Sequence, residues 1–462
     1  MATEYERKRL ENIKRNYEML ASLNVHGTKS LLSSATKRSR DESKSIKTKK
    51  FKKKQKPEEP IVIRQSLRTR GLTPDLKGLP NGFSDKPRRN VVSVSKNESV
   101  RVLAPLSLDD VYEGEGSYSE FVDCIVNGEF GDGKACGEKR IDFDEVPLKL
   151  EQENVARVVP ERILVVKFLP LENVRMVVAG DKSGNVGFWN LDCDDEKNDG
   201  IYLFRPHTAP VSSLVFQQNS FSKVISSSYD GLIRLMDVEK SVFDLVYSED
   251  EAIFSLSQRP NDEQSLYFGE GNGMFNVWDI RVGKSSFQWD LHERRINSID
   301  FNPQNTNVMA TSSTDGTACL WDLRSMGAKK PKMLKTVQHA KPVHSAYFSP
   351  SGHMLATTSH DNYIGILSGA NFEDTHMIDH INSTNRWISC FRGVWGWDDS
   401  YIFVGNLSKR IDVIAPKLRR TVMELHNPLM KAIPCRIHCH PHNVGMLAGA
   451  TAGGQVYVWT PK

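Results

Sequence analysis

The most regular stretch of the chain is Val308–Arg324, VMATSSTDGTACLWDLR. Two short runs of alternating side chains flank Thr314-Asp315-Gly316. Alternation with period two suits β-strands that bury one face. An Asp-Gly pair between two such runs suits a tight hairpin turn, where the backbone must take positive φ. Trp321-Asp322-Leu323-Arg324 closes the second run.

In both directions the place of Trp321 recurs, at Trp189, Met236, Trp278, Leu367, Ile414 and Trp459. In chain order these seven positions are separated by 47, 42, 43, 46, 47 and 45 residues. A turn position stands ahead of each: Ser183, Asp230, Asn272, Asp315, Asp361, Ser408 and Gly453. Ahead of each hairpin lies another apolar run: 163–168, 211–216, 253–256, 296–301, 343–348, 387–391 and 433–438. Seven such units predict an all-β chain folded as a seven-bladed β-propeller over 141–462. The seventh unit stops after its third strand. Residues from about 141 to 159 are therefore expected to supply its outer strand and so remove an exposed sheet edge.

The chain has 462 residues, 39% of them hydrophobic, enough for a large core. The net charge is only +4, yet Lys and Arg crowd the first hundred residues, which leaves the remainder acidic. Any anion-binding surface on that remainder must be a local patch. Seven scattered cysteines suggest a reducing compartment. No apolar run approaches the ~20 residues of a membrane span, and the N-terminus lacks an apolar signal core. A soluble intracellular protein with no membrane partner is expected.

Residues 1–27 hold Leu10, Ile13, Tyr17 and Leu20 at helical spacing, with Asn24 and Gly27 as stop signals. An amphipathic helix is expected there, either docked on a partner or folded back on the domain, or formed only transiently in a disordered tail. Residues 28–104 read as a basic, disordered arm. Within it, 37–56 carry eleven Lys/Arg in twenty positions, in two clusters that match a nuclear import signal. Arg64–Gly71, RQSLRTRG, could place arginines in a DNA groove or be plain linker. Residues 105–140 read as an acidic linker.

Trp278-Asp279 and Trp321-Asp322 resemble the namesake dipeptides of the WD-repeat family. The resemblance implies a hydrogen-bonded set in blade four made of His292, Ser312 or Ser313, Asp315 and Trp321. It gives His207, His339 and His380 the same structural part. The N-terminal helix, Arg64–Gly71, Asn385–Ser389 with nearby Trp395, and all seven units together resemble the WD-repeat protein 76/Cmr1 family. The propeller is also similar to that of damage-specific DNA-binding protein 2. These resemblances imply a nuclear, chromatin-associated protein that binds DNA, damaged duplex included, in damage response or genome maintenance. Asp279 with Arg281 and Asp322 with Arg324 form two W-D-x-R motifs. They resemble the docking signature for the damage-binding adaptor protein 1 of cullin-4 ubiquitin ligases, so a substrate receptor or scaffold is the alternative function.

Loops between blades and the turns inside them should form one face. They hold Lys182, Arg205, His207, Arg294, Arg295, Lys341, Arg386, Lys409, Arg410 and Lys431, with Trp387 beside Arg386. Convergence of these cations would make a focused phosphate-binding patch, with Arg386 and Trp387 near its centre; ordinary solvated loop charge is the other reading. No enzyme signature is present: there is no glycine-rich phosphate loop and no G-x-S-x-G elbow. Cys435 and Cys439 would stand ~13 Å apart along a strand, too far to share a metal at ~2.3 Å Zn–S bonds. No metal or cofactor is expected.

Overall fold

The computed structural model describes residues 14–15, 101–114, 116–126, 147–171, 174–193, 199–218, 220–325 and 331–462. Lys14 and Arg15 are helical and exposed. The rest of the N-terminal helix, the import signal, Arg64–Gly71 and 127–146 lie outside the described residues.

Seven antiparallel sheets follow one another along the chain and close into a ring, a seven-bladed β-propeller. The first six span 163–204, 211–248, 253–290, 296–338, 343–379 and 394–425, each with four strands ordered from the inside out. The seventh has its inner strands at Pro434–Cys439, Leu447–Thr451 and Gln455–Pro461. Its outer positions are filled from far upstream, by Leu148–Lys149 against Thr460–Pro461 and Val155–Arg157 against Gln455–Tyr457. Gly454 takes φ 80° in the turn between the second and third strands of that sheet. Its carbonyl accepts from Val158 N at 3.0 Å. A side chain at Gly454 would run into the Val159 backbone, so the two distant segments can approach only because glycine stands there.

Burial falls from the inside outward. The second strand of blade four, Val308–Ser313, is buried at every position, whereas the outer strand of blade three, Lys284–Asp290, is exposed except at Trp289. Val308–Ser313 thus buries both faces rather than the single face its alternation suggests. Blades pack face against face, so a second strand lies between its own neighbours and those of the adjoining sheets. The predicted inner strand at 387–391 is likewise displaced; the strand is Val394–Trp395. Residues ahead of it are pinned in irregular form. Ser389 Oγ donates to Ile163 O at 2.6 Å, and Arg436 donates to Cys390 O.

The structure also corrects the linker reading of 105–140 over its described residues, 105–114 and 116–126. Leu106–Ser107 pairs with Val242–Phe243 and makes blade two five-stranded. Two helices follow, α1 (Leu108–Val111), whose N-cap Ser107 accepts from Asp109 N, and α2 (Ser119–Val126). Phe121 is fully buried against Phe188, Tyr202 and Phe204, with ring centroids 4.8, 5.2 and 5.6 Å away. Arg234, buried in blade two, donates to the carbonyls of Val102 and Ala104 at 2.6 and 3.0 Å. Acidic composition suggests a linker. Four apolar side chains at helical spacing, Leu108, Val111, Phe121 and Ile125, outweigh it by covering the outer edges of blades one and two.

The WD residues do their expected structural work in some blades only. In blade four His292 Nδ1 lies 3.0 Å from Asp315 Oδ2, and Nε2 lies 2.7 Å from Thr311 Oγ1, which also accepts from Trp321 Nε1 at 2.8 Å. The hydroxyl in this set is therefore Thr311, not Ser312 or Ser313. Thr311 pairs across with Cys319, so it shares a face with Trp321 two residues on, while Ser312 points the other way to Ser298 Oγ. Burial alone would raise the Asp315 carboxyl, but hydrogen bonds from His292 and Thr317 win and hold it below the usual range. His207–Asp230–Ser226 and His339–Asp361–Thr357 repeat the set in blades two and five, with Met236 and Leu367 in place of the tryptophan. In blade six His380 turns instead to Asn382 and Asp412.

Candidate nucleic-acid interface

In each blade the first strand leaves the loop that joins it to the preceding blade, and the turn between second and third strands returns to that same side. The cationic loop residues therefore share one face of the ring. On that face they divide into two groups. Lys182 pairs with Glu161 at 3.2 Å, Arg205 with Glu113 at 3.5 Å, and Arg410 with Glu424. Arg295 is half-buried, its guanidinium 5.0 Å over the Phe254 ring. Buried His207 belongs to the structural set. By contrast, Arg294, Lys341, Arg386, Lys409 and Lys431 are exposed, and their side chains have no ion-pair or hydrogen-bond partner among the described residues. These five come from consecutive loops and turns between blades three and seven. The blade two to three loop, Glu249-Asp250-Glu251, is acidic.

Trp387 is 95% exposed, the most exposed large apolar side chain described. Asn385, two residues earlier, takes φ 48°, and Ser389, two residues later, is anchored to the first strand of blade one. The Asn385–Cys390 segment thus reaches from the loop after blade five to the first strand of blade one, with Trp387 exposed on it beside Arg386.

The central opening of the ring leads into a channel of about 510 Å³ lined by the first strand of every blade. Six of these strands break register at one equivalent point, between Ile163/Val165, Val211/Ser213, Ile253/Ser255, Ile296/Ser298, Val343/Ser345 and Pro434/Arg436. A bulge there turns the extra residue out of the ladder. Arg392 and Arg436, which sequence reasoning missed, line the channel at this level. Arg392 donates to Tyr347 Oη at 3.3 Å and Asn297 O at 2.9 Å; Arg436 donates to Leu164 O at 2.7 Å. Neither contributes to the repeat pattern, so periodicity could not single them out.

On the opposite face, the two W-D-x-R arginines differ. Arg324 Nη2 donates to its own Asp322 at 2.7 Å and Nε to the same carboxylate at 3.0 Å. Asp279 instead accepts from the backbone N–H of Arg281 at 2.9 Å, and the exposed Arg281 guanidinium has no partner among the described residues. Cys435 Sγ and Cys439 Sγ turn to different carbonyls, of Ile433 and Trp395. Among the described residues no group of three His, Cys, Asp or Glu could hold a metal, and no helix is long and apolar enough to cross a membrane.

Ring closure, repeat length and the His–Asp–Trp set define a WD-repeat β-propeller. The WD domain, G-beta repeat family matches residues 199–237, 283–322 and 331–366. Each match begins at or near the outer strand of one blade and ends in or near the third strand of the next, so repeat and blade are offset, as the borrowed outer strand of blade seven requires. The particular relatives are homologues along nearly the whole chain. WD repeat-containing protein 76 of Xenopus laevis is 29% identical over 99% of this chain and 80% of its own. Proteins named DNA damage-binding protein CMR1 are 27% identical in Neurospora crassa and 25% in Phaeosphaeria nodorum, each over 99% of this chain and 98% of theirs. The relatives' names and the fold fit a DNA-damage-related binding or scaffold protein.

Proposed function

We propose that this chain is a non-enzymatic nuclear protein of chromatin that binds DNA, damaged duplex included, through the loop face of its propeller. The observation that carries the reading is Trp387, presented to solvent beside Arg386 on the loop between blades five and six. An exposed indole costs little to stack on a base, and stacking is worth ~1–3 kcal/mol per base. The unpaired cations Arg294, Lys341, Lys409 and Lys431 lie along the same sector, where a backbone tracking past Trp387 would meet them. Lys182, Arg205 and Arg410 are neutralised in place and contribute less. The names of the CMR1 relatives support the same ligand.

The test is fluorescence anisotropy with intact and lesion-bearing duplexes over a salt series, using the full chain. Arg386→Ala with Trp387→Ala should weaken binding about tenfold or more; Lys182→Ala with Arg205→Ala should change little. Equal affinity and salt slope for the first pair would remove the loop face from the reading. A second reading, docking to the cullin-4 adaptor, is favoured by the unpartnered Arg281. Co-purification should then drop with Arg281→Ala more than with Arg324→Ala, whose guanidinium is already committed to Asp322. Unchanged recovery of the adaptor with both arginines replaced would exclude this route.

A further inference from the structure

At the channel mouth basic side chains gather with no ion-pair partner among the described residues. Arg392 and Arg436 line it. His344 holds the bulged place of blade five, equivalent to Leu164, Ser212 and Asn297, which line the channel. Its ring stands 5.6 Å from that of His360. Burial first, then Arg392, Arg436, His360 and Arg295, push His344 down to about 3. Burial and Arg392 likewise bring Arg436 down to about 10. None of Arg162, Arg295, Arg392, Arg436 or His344 makes an ion pair among the described residues.

Their hydrogen bonding is also unfinished. Nε of Arg162, Arg295 and Arg392, Nε2 of His344 and Oγ of Ser345 are all buried and have no hydrogen-bond partner among the described residues. His344 is only 6% exposed and Ser345 not at all. Buried polar atoms ordinarily find partners, and these orphans, from the entrances of four inner strands, mark a place for a ligand. The ligand must be an anion rich in acceptors, since the orphans on the arginines are donors. Deeper in the channel the account is different. There an acid, Asp300, is present: burial raises its carboxyl to about 7, while the amides of Phe348 and Phe301 and then the charge of Lys167 lower it.

We propose that the channel mouth is a phosphate-binding pocket, in which Arg162, Arg295, Arg392, Arg436 and His344 close on one phosphate group of DNA lying across the loop face. A tetrahedral phosphate offers acceptors in several directions, as a ring of arginines and a histidine requires. The pocket rests on the DNA reading for its source of phosphate, but not for its chemistry. A backbone phosphate seated there would fix the register in which the neighbouring base meets Trp387.

The experiment uses the full chain with two probes, inorganic phosphate and a short duplex. Phosphate should raise the thermal midpoint above that in potassium chloride of equal ionic strength. Arg162→Gln with Arg295→Gln should abolish that rise; their side chains make no hydrogen bond among the described residues, so the fold should survive. The same pair should weaken duplex binding and lower the salt slope by about one, and phosphate should displace duplex better than chloride does. No phosphate-specific rise in the unmodified chain, or a rise that survives the double substitution, overturns the pocket even if DNA still binds through Arg386 and Trp387. A rise that the substitutions abolish, with duplex binding unchanged, overturns DNA as the source and leaves a pocket for free phosphate esters.

Discussion

Phe121→Ala asks whether the segment ahead of the propeller is part of its folded structure. Phe121 is fully buried, with three aromatic rings within 5.6 Å, and belongs to the same cluster as Leu108, Val111, Met176 and Phe243. Truncating such a ring costs about 3–5 kcal/mol, the lost transfer energy plus the cavity left behind. That loss falls first on the docking of 101–126, because the ring of blades closes through 148–157 and not through this segment. At 1.4 kcal/mol per tenfold, a loss of 3 kcal/mol makes the undocked state about 150 times more populated. Hydrogen exchange reads it directly. Leu108 N donates to Ser241 O, Glu113 N to Leu203 O and Arg205 N to Val111 O, at 3.0, 2.8 and 2.7 Å, so all three amides should lose protection together. The midpoint for the blades should move less. Val126→Ala, at a site 45% exposed on the same helix, is the control and should stay within about 0.5 kcal/mol. If the three amides exchange as slowly in Phe121→Ala as in the unmodified chain, the segment is not held by this cluster and the packing account is wrong.

Two further expectations concern stability. Asp230, Asp315 and Asp361 have folded carboxyls held below their ordinary value despite burial, mainly by their histidine partners. A depressed folded pKa contributes stability that is complete above about pH 4, the unfolded carboxyl range, and is lost as pH falls through the folded values. Melting temperature should therefore decline below about pH 4, and Asp315→Asn should cost about 1–3 kcal/mol at neutral pH while flattening that decline; an acid limb of unchanged steepness would contradict it. Deleting 147–157 exposes the outer edge of the third strand of blade seven, Gln455–Pro461, and should lower the unfolding midpoint and promote association. A monodisperse deletion variant with an unaltered melt would show that the clasp does not hold the ring.

The repeat was legible from residue 163 onward because each blade must bury the same few positions, and those positions recur about every 45 residues. Trp321, Asp315 and His292 could be assigned to the fold for that reason. Blade six was harder to read. Ile388 and Phe391 look like part of an apolar strand, but Ser389 and Cys390 bond to blade one and to Arg436, which holds them out of the sheet. The helices at 108–126 were hidden by their acidic neighbours, since composition averages over residues whereas packing selects one face. Among the cations of the loop face, the sequence could name every member but not its partner.

The number of blades, their order and the face on which each loop emerges can be read from residue pattern alone. These follow from local alternation, turn chemistry and repeat length, which act over a few residues at a time. Only the tertiary structure decided which charges remain unspent. Glu113 reaches Arg205 from 92 residues away, and Asp322 closes on Arg324 while Asp279 leaves the Arg281 guanidinium open. It also brought Arg162, Arg295, His344, Arg392 and Arg436 to one mouth. Each stands at the entrance to a different inner strand, and closure of the ring makes those entrances neighbours.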